Sequence, residues 1–199
     1  MAKIVLRNVI IGFPRLFTPE RFNEQSQPAY SLKVFIEEGS EADTQIRDAI
    51  KAAAAATWKD KADLRLKKYS GDPKAFCYQS GETAEYEKPY GDSCYILTAR
   101  RPVPQGASTG NAPVVVDRRK NPITANDGLI YSGCICNVVV DIWAQESDKG
   151  SGVRCMLVSV QFVKDGKSYG AAPATADDLD DLGDDPDVGG TTADGDDPF

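Results

Sequence analysis

The sequence predicts a mostly β domain, folded as a small and mostly antiparallel barrel with one α-helix and long loops, and followed by a disordered acidic tail. Several segments alternate apolar and polar residues as β-strands do, one alanine-rich segment has helical spacing, and negative charge is concentrated near the C-terminus. The 199 residues are enough for one mid-sized domain with a substantial core. We assign residues 1–170 to the domain and residues 171–199 to the tail.

Two strands joined by a long loop are predicted at the start of the domain. Residues 3–11, KIVLRNVII, form the first strand, and a loop rich in proline and phenylalanine follows. Residues 29–37, AYSLKVFIE, alternate cleanly between apolar and polar positions. This alternation places Lys33 and Phe35 on one face of the second strand and Tyr30 on the opposite, apolar face.

A helix is predicted next, from Ser40 to about Lys59. Ser40 stands three residues before Asp43, which is a weak capping box, and apolar residues then recur at helical spacing through an alanine-rich run. Residues 60–92 form a long polar excursion in which basic and aromatic residues are interleaved. We interpret it as loop, and a loop of this length in a compact domain is usually functional.

The remaining strands complete the barrel. Residues 93–100 predict a strand that runs into a loop rich in Gly, Ser and Thr, and residues 112–123 predict a strand and a turn. Two strong strands follow, at 134–143 and 153–163. Five or more strands with one helix and long connecting loops are typical of an OB-fold-like barrel.

The charge of the chain is segregated. Ten of its 30 acidic residues, all Asp, lie in 171–199, where there is no Lys or Arg, so residues 1–170 carry a net charge of +3. The tail has too few apolar residues to offset the entropy of ordering it, and we expect it to be disordered. Its last residue offers a ring and a carboxylate together, which suits protein docking. The expected interaction residues are Asp194, Asp196, Asp197, Pro198 and Phe199.

No catalytic site is visible. The chain has no histidine, which removes the commonest general base and the usual zinc ligand, and phosphate-binding and nucleophile motifs are absent. Cys134 and Cys136 point to the same apolar face and are expected to be small buried hydrophobes. We therefore predict no metal and no cofactor. An acidic cluster that could hold Mg²⁺ is better explained as solvated surface; its members are Asp72, Glu82, Glu85, Glu87 and Asp92.

The location of the protein is indicated by its cysteines and its hydropathy. Five cysteines without a CxxC pair argue against a secreted disulfide framework and favour a reducing cytoplasm. No stretch approaches the roughly 18 apolar residues of a membrane span, and the N-terminus reads as a strand rather than a signal peptide. We expect no membrane association.

Basic and aromatic residues point to single-stranded nucleic acid. Such a ligand needs cations along its phosphates and aromatic rings that stack on its unpaired bases. Each stacked base contributes about 1–3 kcal/mol to binding. Arg15 lies between Phe13 and Phe17, and for these two rings and Phe35 packing and stacking are equal alternatives. Trp143 either stacks on a base or caps the barrel. The candidate DNA-binding residues are Arg15, Lys33, Phe35, Lys67, Lys68, Phe76, Tyr78, Tyr90, Arg100, Arg101, Arg118, Arg119, Lys120 and Trp143.

Several segments carry a resemblance to a known family. They are the start KIVLRNVIIGFPRLFTPERF, ARRP before VVVD, YSGCICNVVVDIWAQ, LVSVQFVKDG, and the DDLDDL and DDPF parts of the tail. Together these segments resemble tailed-phage single-stranded DNA-binding proteins. The resemblance implies an OB fold, binding of single-stranded DNA without sequence preference, and a tail that recruits replication and recombination proteins. QGASTGNA, between Arg101 and Val114, departs from the family pattern.

The resulting prediction is a non-catalytic protein that coats and protects single-stranded DNA in phage replication, recombination and repair, in the cytoplasm of the infected bacterium. We expect a monomer or weak homodimer whose tail competes with DNA. RNA remains possible as a ligand, because stacking and phosphate contacts hardly separate the two. The alternatives are an acidic DNA mimic that does not bind DNA and a Mg²⁺-dependent nuclease.

Overall fold

The computed structural model describes residues 2–82, 84–147 and 150–169, so the predicted tail lies outside the described residues. Seven strands and two α-helices follow one another along the described chain, with three short 3₁₀ turns at 59–61, 91–93 and 125–127. In chain order the elements are β1 (Ala2–Glu20), β2 (Ala29–Glu37), α1 (Glu41–Trp58), α2 (Ala62–Tyr69), β3 (Tyr78–Ser80), β4 (Cys94–Pro102), β5 (Val114–Val116), β6 (Ile135–Gln145) and β7 (Gly152–Lys164).

The strands form a closed barrel. Their order is β3-β4-β2-β1-β6-β7-β5, and β4 also pairs with β7, which closes a ring of β1, β2, β4, β7 and β6. Four of the five pairings in the ring are antiparallel, whereas the closing pair is parallel at Arg100 and Met156. The prediction of a mostly β, OB-like barrel with one long helix is confirmed.

β1 is the longest strand and contributes to both sides of the barrel. Its first half pairs with β6, from Ala2 opposite Ile142 to Ile10 opposite Ile135, and its second half pairs with β2 as far as Glu20. Register shifts interrupt both ladders, and Asn8 and Phe13 have positive φ angles of 52° and 49°. Such irregularities let a single strand bend across a barrel corner.

The helix α1 packs against β6 and β1 of the barrel. Its start is the predicted one, because the Ser40 side chain accepts a hydrogen bond from the Asp43 N–H at 3.2 Å. Ile46, Ala49 and Ala53 are buried against the barrel core, and the small alanine side chains allow a close approach.

The excursion at 60–92 is more ordered than expected. The prediction of continuous loop is wrong for residues 62–69 and 78–80, which form α2 and β3. Good helix formers fill α2, and its Leu66 and Tyr69 pack against the core, where the Tyr69 and Trp58 rings lie 5.7 Å apart. Tertiary contacts thus stabilise a helix that is too short to form alone.

Cys134 and Cys136 are part of the core, as predicted. Cys134 and Cys136 are fully buried with their Sγ atoms 3.6 Å apart, and all five cysteines are free thiols. Within the part of the chain that the structure describes, no helix is both long and apolar enough to cross a bilayer.

Candidate nucleic-acid interface

The outward surface of β1, β2 and β4 carries the best candidate site, which we call the β1–β2–β4 face. These strands are neighbours in the sheet, and the cross-strand partners on one side form three rows. The inward side of β2, with Leu32 and Val34, belongs to the main core. From one end of the face to the other, the rows are Arg15–Ser31–Arg100, Gly12–Lys33–Thr98 and Ile10–Phe35–Ile96.

Three predicted cations lie on this face. Lys33 is half-buried in the middle row, while Arg15 and Arg100 are exposed at opposite ends of the neighbouring row. Arg15 forms an ion pair with Glu20, and both side chains are about half exposed, so the pair is weak and exchangeable. The arrangement gives three positive charges spread across three strands.

Two rings flank the central lysine. The Phe13 and Tyr86 centroids are 4.7 Å apart in an edge-to-face arrangement. The Lys33 Nζ lies 4.5 Å from the Tyr86 centroid and 5.1 Å from the Phe13 centroid, and it donates a hydrogen bond to the Tyr86 Oη at 2.8 Å. The Phe13 ring is 43% exposed and so is accessible to a ligand.

Sequence reasoning left Phe13 undecided and did not select Tyr86. Phe13 is turned outward at a positive φ of 49°, and its N–H donates to the Ser132 Oγ at 2.8 Å. Tyr86 comes from the polar excursion, 53 residues from Lys33. The proximity of Phe13 to Arg15 was an available signal, but the position of Tyr86 depends on tertiary contacts that no local pattern encodes.

Phe35, for which packing and stacking were equal alternatives, is packed in the structure as it stands, because the ring is only 1% exposed. It belongs to a small cluster with Cys94 and Ile96 that is separate from the main core. Tyr86 and Tyr169 cover it, with ring centroids 6.4 Å and 6.2 Å from that of Phe35.

Phe76 and Tyr78 are also corrected, because both are buried in the main core. The Tyr78 hydroxyl donates to the Asp43 Oδ1 at 2.7 Å, and burial together with this carboxylate raises the pKa of Tyr78. The alternation of basic and aromatic residues in the excursion therefore reflects inward and outward positions rather than a row of exposed rings.

Arg101 points away from the cations of the β1–β2–β4 face and is held by other groups. It donates to the Asn111 backbone oxygen at 2.6 Å, to the Asn111 Oδ1 at 2.7 Å and to the Leu157 oxygen at 3.2 Å. These bonds fasten the loop that contains QGASTGNA to the barrel. Arg101 is therefore a structural anchor in this structure, which corrects its expected role as a phosphate contact.

The other candidates lie elsewhere. Exposed Lys67 and Lys68 are on α2, which packs against α1 and β7. Half-buried Trp143 pairs with Arg154 beyond the N-terminal end of β1, whereas the cations of the face lie along its second half. Tyr90 is 38% exposed just before β4. Arg118, Arg119 and Lys120 are exposed in the turn after β5.

The acidic cluster does not form a metal site. Across 2–82, 84–147 and 150–169, no three His, Cys, Asp or Glu side chains are grouped so as to hold a metal ion. Glu87 instead pairs with Lys167 at 2.6 Å. The geometry of the site is that of a surface with cations and rings, with no constellation that points to a reaction.

Comparison with known proteins agrees with this geometry. A family profile described as Enterobacter phage Enc34, ssDNA-binding protein, matches residues 2–189. "Putative protein p50" of Acyrthosiphon pisum secondary endosymbiont phage 1 is 31% identical over 183 residues, covering 90% of this chain and 94% of that protein.

Two solved structures share the fold. The single-stranded DNA-binding protein from bacteriophage Enc34 in complex with ssDNA has a TM-score of 0.61 at 22% identity, covering 84% of this chain and 89% of its own. The single-stranded DNA-binding protein gp2.5 of bacteriophage T7 has a TM-score of 0.54 at 13% identity, covering 91% and 98%. Because the family profile spans nearly all of the sequence, the chain belongs to the family of phage single-stranded DNA-binding proteins represented by that of Enterobacter phage Enc34, a family of binding proteins and not of enzymes.

Proposed function

We propose that this chain binds single-stranded DNA, without sequence preference, across the β1–β2–β4 face. The observation that carries the proposal is the placement of Lys33 against the rings of Phe13 and Tyr86, with Arg15 and Arg100 on the neighbouring row. Phosphates need the cations and unpaired bases need the rings. The Enc34 relative, whose solved structure contains ssDNA, supports the same ligand for this chain.

Binding of this kind suits a protein that coats DNA rather than reading it. Neither a lysine nor a phenyl ring distinguishes one base from another, because every base has a π-face and every nucleotide a phosphate. We infer that the protein covers and protects single strands in phage replication, recombination and repair, in the cytoplasm of the infected bacterium. It would act there as a monomer or a weak homodimer.

The acidic tail is proposed to compete with DNA and to recruit replication and recombination proteins through Asp194, Asp196, Asp197, Pro198 and Phe199. Two observations support competition. The tail carries ten Asp against a domain of net charge +3. Tyr169, which lies two residues before the tail in the sequence, packs on Phe35 at the β1–β2–β4 face. The last described residue before the tail therefore packs on the face whose cations the aspartates would occupy.

The test is a titration of the full chain with labelled oligo-dT, matched duplex and oligo-rU at two salt concentrations. We expect tight binding to oligo-dT, weaker binding to duplex, and a slope of log K against log salt of about −0.7 for each phosphate neutralised. Equal affinity for oligo-rU would widen the ligand class to RNA. Failure to bind any strand, both by the full chain and by a protein ending at Gly170, would overturn the proposal and favour a DNA mimic.

A further inference from the structure

Phe35 is buried in an unusual place. It faces outward from the barrel, yet it is as inaccessible as the main core because residues outside the barrel cover it. The ring extends over the neighbouring strand, where a Cβ at position 12 would lie only 2.5 Å from the Phe35 Cε2, so Gly12 leaves the space the ring occupies. Together with Ile96 and Cys94, the ring forms a flat apolar platform on the β1–β2–β4 face.

The cover is a loop, residues 84–90, which we call the strap. Ala84 and Tyr86 pack on the platform, and the strap residues form neither helix nor strand. The strap begins close to an anchored position, because the Gly81 N–H donates to the Cys94 oxygen at 2.7 Å and the Ala84 N–H donates to the Gly81 oxygen at 3.0 Å. At the other end of the strap, the Ser93 N–H donates to the Tyr90 oxygen at 3.1 Å. Between these two ends the strap is held by side chains.

Two polar side-chain contacts hold the strap closed, in addition to the packing of the Tyr86 ring against Phe13 and Phe35. The Lys33 Nζ donates to the Tyr86 Oη at 2.8 Å, and the Lys167 Nζ lies 2.6 Å from the Glu87 Oε1. Glu87 and Lys167 are 62% and 68% exposed, so water and salt screen their attraction and the pair is easily exchanged. In both contacts the lysine ammonium group could equally well donate its hydrogen bond to a phosphate.

From this arrangement we propose that single-stranded DNA opens the strap and places a base on the Phe35 platform. Phosphates take Lys33 from Tyr86 and Lys167 from Glu87, and the base replaces Tyr86 as the cover of the ring. Glu87 moves away with the strap, which removes a negative charge from the path of the DNA. The inference rests on the proposed function and adds a base-binding position to the same face.

Opening of the strap also acts on the start of the tail. Lys167 and Tyr169 belong to the segment after β7, and the Tyr169 ring packs on Phe35 at 6.2 Å. A base on the platform takes the place of Tyr169 as well as that of Tyr86. DNA binding at Phe35 therefore frees Tyr169, two residues before the tail, which links the platform to release of the tail.

The strap is tested by hydrogen–deuterium exchange of the full chain with and without saturating oligo-dT. We expect amides at the start of the strap, where the Ala84 N–H donates to the Gly81 oxygen, to exchange several-fold faster in the complex, because this hydrogen bond loosens when the strap leaves the platform. DNA that binds over a closed strap would slow these amides or leave them unchanged, and either result would overturn the proposal. Protection of β2 and β4 in the same experiment shows whether DNA is bound.

The platform is tested by photocrosslinking an oligonucleotide that carries 5-iododeoxyuridine and mapping the crosslinks by peptide mass spectrometry. A crosslink at Phe35 is expected in addition to those at the exposed rings of the face. Crosslinks at Phe13 or Tyr86 with none at Phe35 would overturn this inference and leave the proposed function intact. Absence of any binding would instead count against the proposed function itself.

A charge-matched pair of variants separates the strap from simple electrostatics. E87Q removes the pair with Lys167, whereas E85Q removes the same charge from an exposed residue of the same strap. In the free protein, E87Q should speed exchange of the Ala84 amide and tighten oligo-dT binding, each by several-fold more than E85Q does. Equal behaviour of the two variants would show that Glu87 does not hold the strap closed and would overturn that part of the mechanism.

Discussion

At the scale of single residues, Lys33 is the centre of the proposed interface. Its ammonium group has a neutral hydroxyl and two ring faces as neighbours, and no carboxylate is recorded in an ion pair with it among the described residues. A phosphate can therefore approach without displacing a charged partner. The same contacts hold the rings of Phe13 and Tyr86 in position, so one lysine both attracts the backbone and arranges the stacking surface.

Replacing Lys33 by Ala should weaken oligo-dT binding and reduce the slope of log K against log salt by about 0.7, which is the loss of one phosphate contact. Fluorescence anisotropy at four or more salt concentrations measures both quantities. K67A is the matched control, because Lys67 is an exposed lysine on α2, apart from the face. A K67A slope change as large as that of K33A would extend the interface to α2 and contradict a contact surface limited to the β1–β2–β4 face.

Phe13 is expected to contribute by stacking. F13A should weaken oligo-dT binding by about 1–3 kcal/mol, the usual worth of one stacked base, while duplex binding changes little. F22A is the control, since the Phe22 ring is 85% exposed but is not among the rings against Lys33. Because Phe13 is itself 43% exposed, the free energy of unfolding should change by less than about 1 kcal/mol. Equal binding losses in F13A and F22A would argue against a specific stacking position.

At the scale of elements, the start of α1 depends on a buried carboxylate. Burial alone would raise the pKa of Asp43, but hydrogen bonds from the Gly39 N–H, the Tyr78 hydroxyl and Arg47 outweigh it and lower that pKa below its ordinary value. Tyr78 lies on β3, so the carboxylate joins the first turn of the helix to the sheet. The charged form is the one that stabilises the fold.

The sign of the pH dependence follows from the lowered pKa. The contribution of Asp43 to stability is complete above about pH 4, the pKa of an unfolded Asp, and is lost as the pH falls through the lower folded value. The free energy of unfolding of D43N should therefore be about 1–3 kcal/mol lower than that of the wild type at neutral pH. This difference should narrow as the pH falls toward about 3. Urea unfolding across this range measures it, with D48N on the exposed side of α1 as control. A difference that does not depend on pH would show that Asp43 acts by shape rather than charge.

Local patterns predicted some elements well and others poorly. The alternation in 29–37 and the Ser40 cap set β2 and α1 at their observed positions, because both signals lie within a few residues. β1 was cut short at residue 11 because Pro14 and Pro19 suggested a loop, yet the strand continues to Glu20 with a shifted register. Proline is tolerated where the ladder is already irregular. The alternation also put Phe35 on the outward side correctly, but the strap that covers it comes from 50 residues away in the sequence.

At the scale of the whole molecule, the candidate site was predictable in its charges and less so in its rings. Strand alternation placed Lys33 and Arg100 outward, and Arg15, selected from a predicted loop, joins them on the face. The other selected cations, Arg101 and those of α2 and the turn after β5, do not lie with them. The ring that meets Lys33 from the excursion, Tyr86, was missed, and Phe76 and Tyr78 were selected although they are core. Tertiary packing decides which side chains of an irregular segment face inward. Such a segment has no hydrophobic periodicity, so the sequence does not predict them.

The segregation of charge between domain and tail leads to the last prediction, which concerns residues 171–199. If the ten Asp occupy the cations of the face, a protein ending at Gly170 should bind oligo-dT several-fold more tightly at low salt, where the Debye length is about 30 Å at 0.01 M. Binding of the tail to the domain also weakens as salt rises, so the tail competes less with DNA at high salt. This offsets part of the loss of DNA affinity that salt causes. Truncation should therefore steepen the slope of log K against log salt, and the two proteins should converge at high salt.

F199A separates docking from competition, because it keeps every aspartate. We expect this variant to bind oligo-dT with the same affinity as the full chain. A partner that recognises the Phe199 ring and carboxylate should bind it more weakly. Anisotropy titrations of the full chain, the truncated protein and F199A at two salt concentrations measure the comparison directly. If truncation changes neither the affinity nor the slope, the aspartates do not reach the face, and the tail serves in docking alone. Competition requires both changes together, since tighter binding with an unaltered slope would mean that the tail hinders DNA by its bulk and not by its charge.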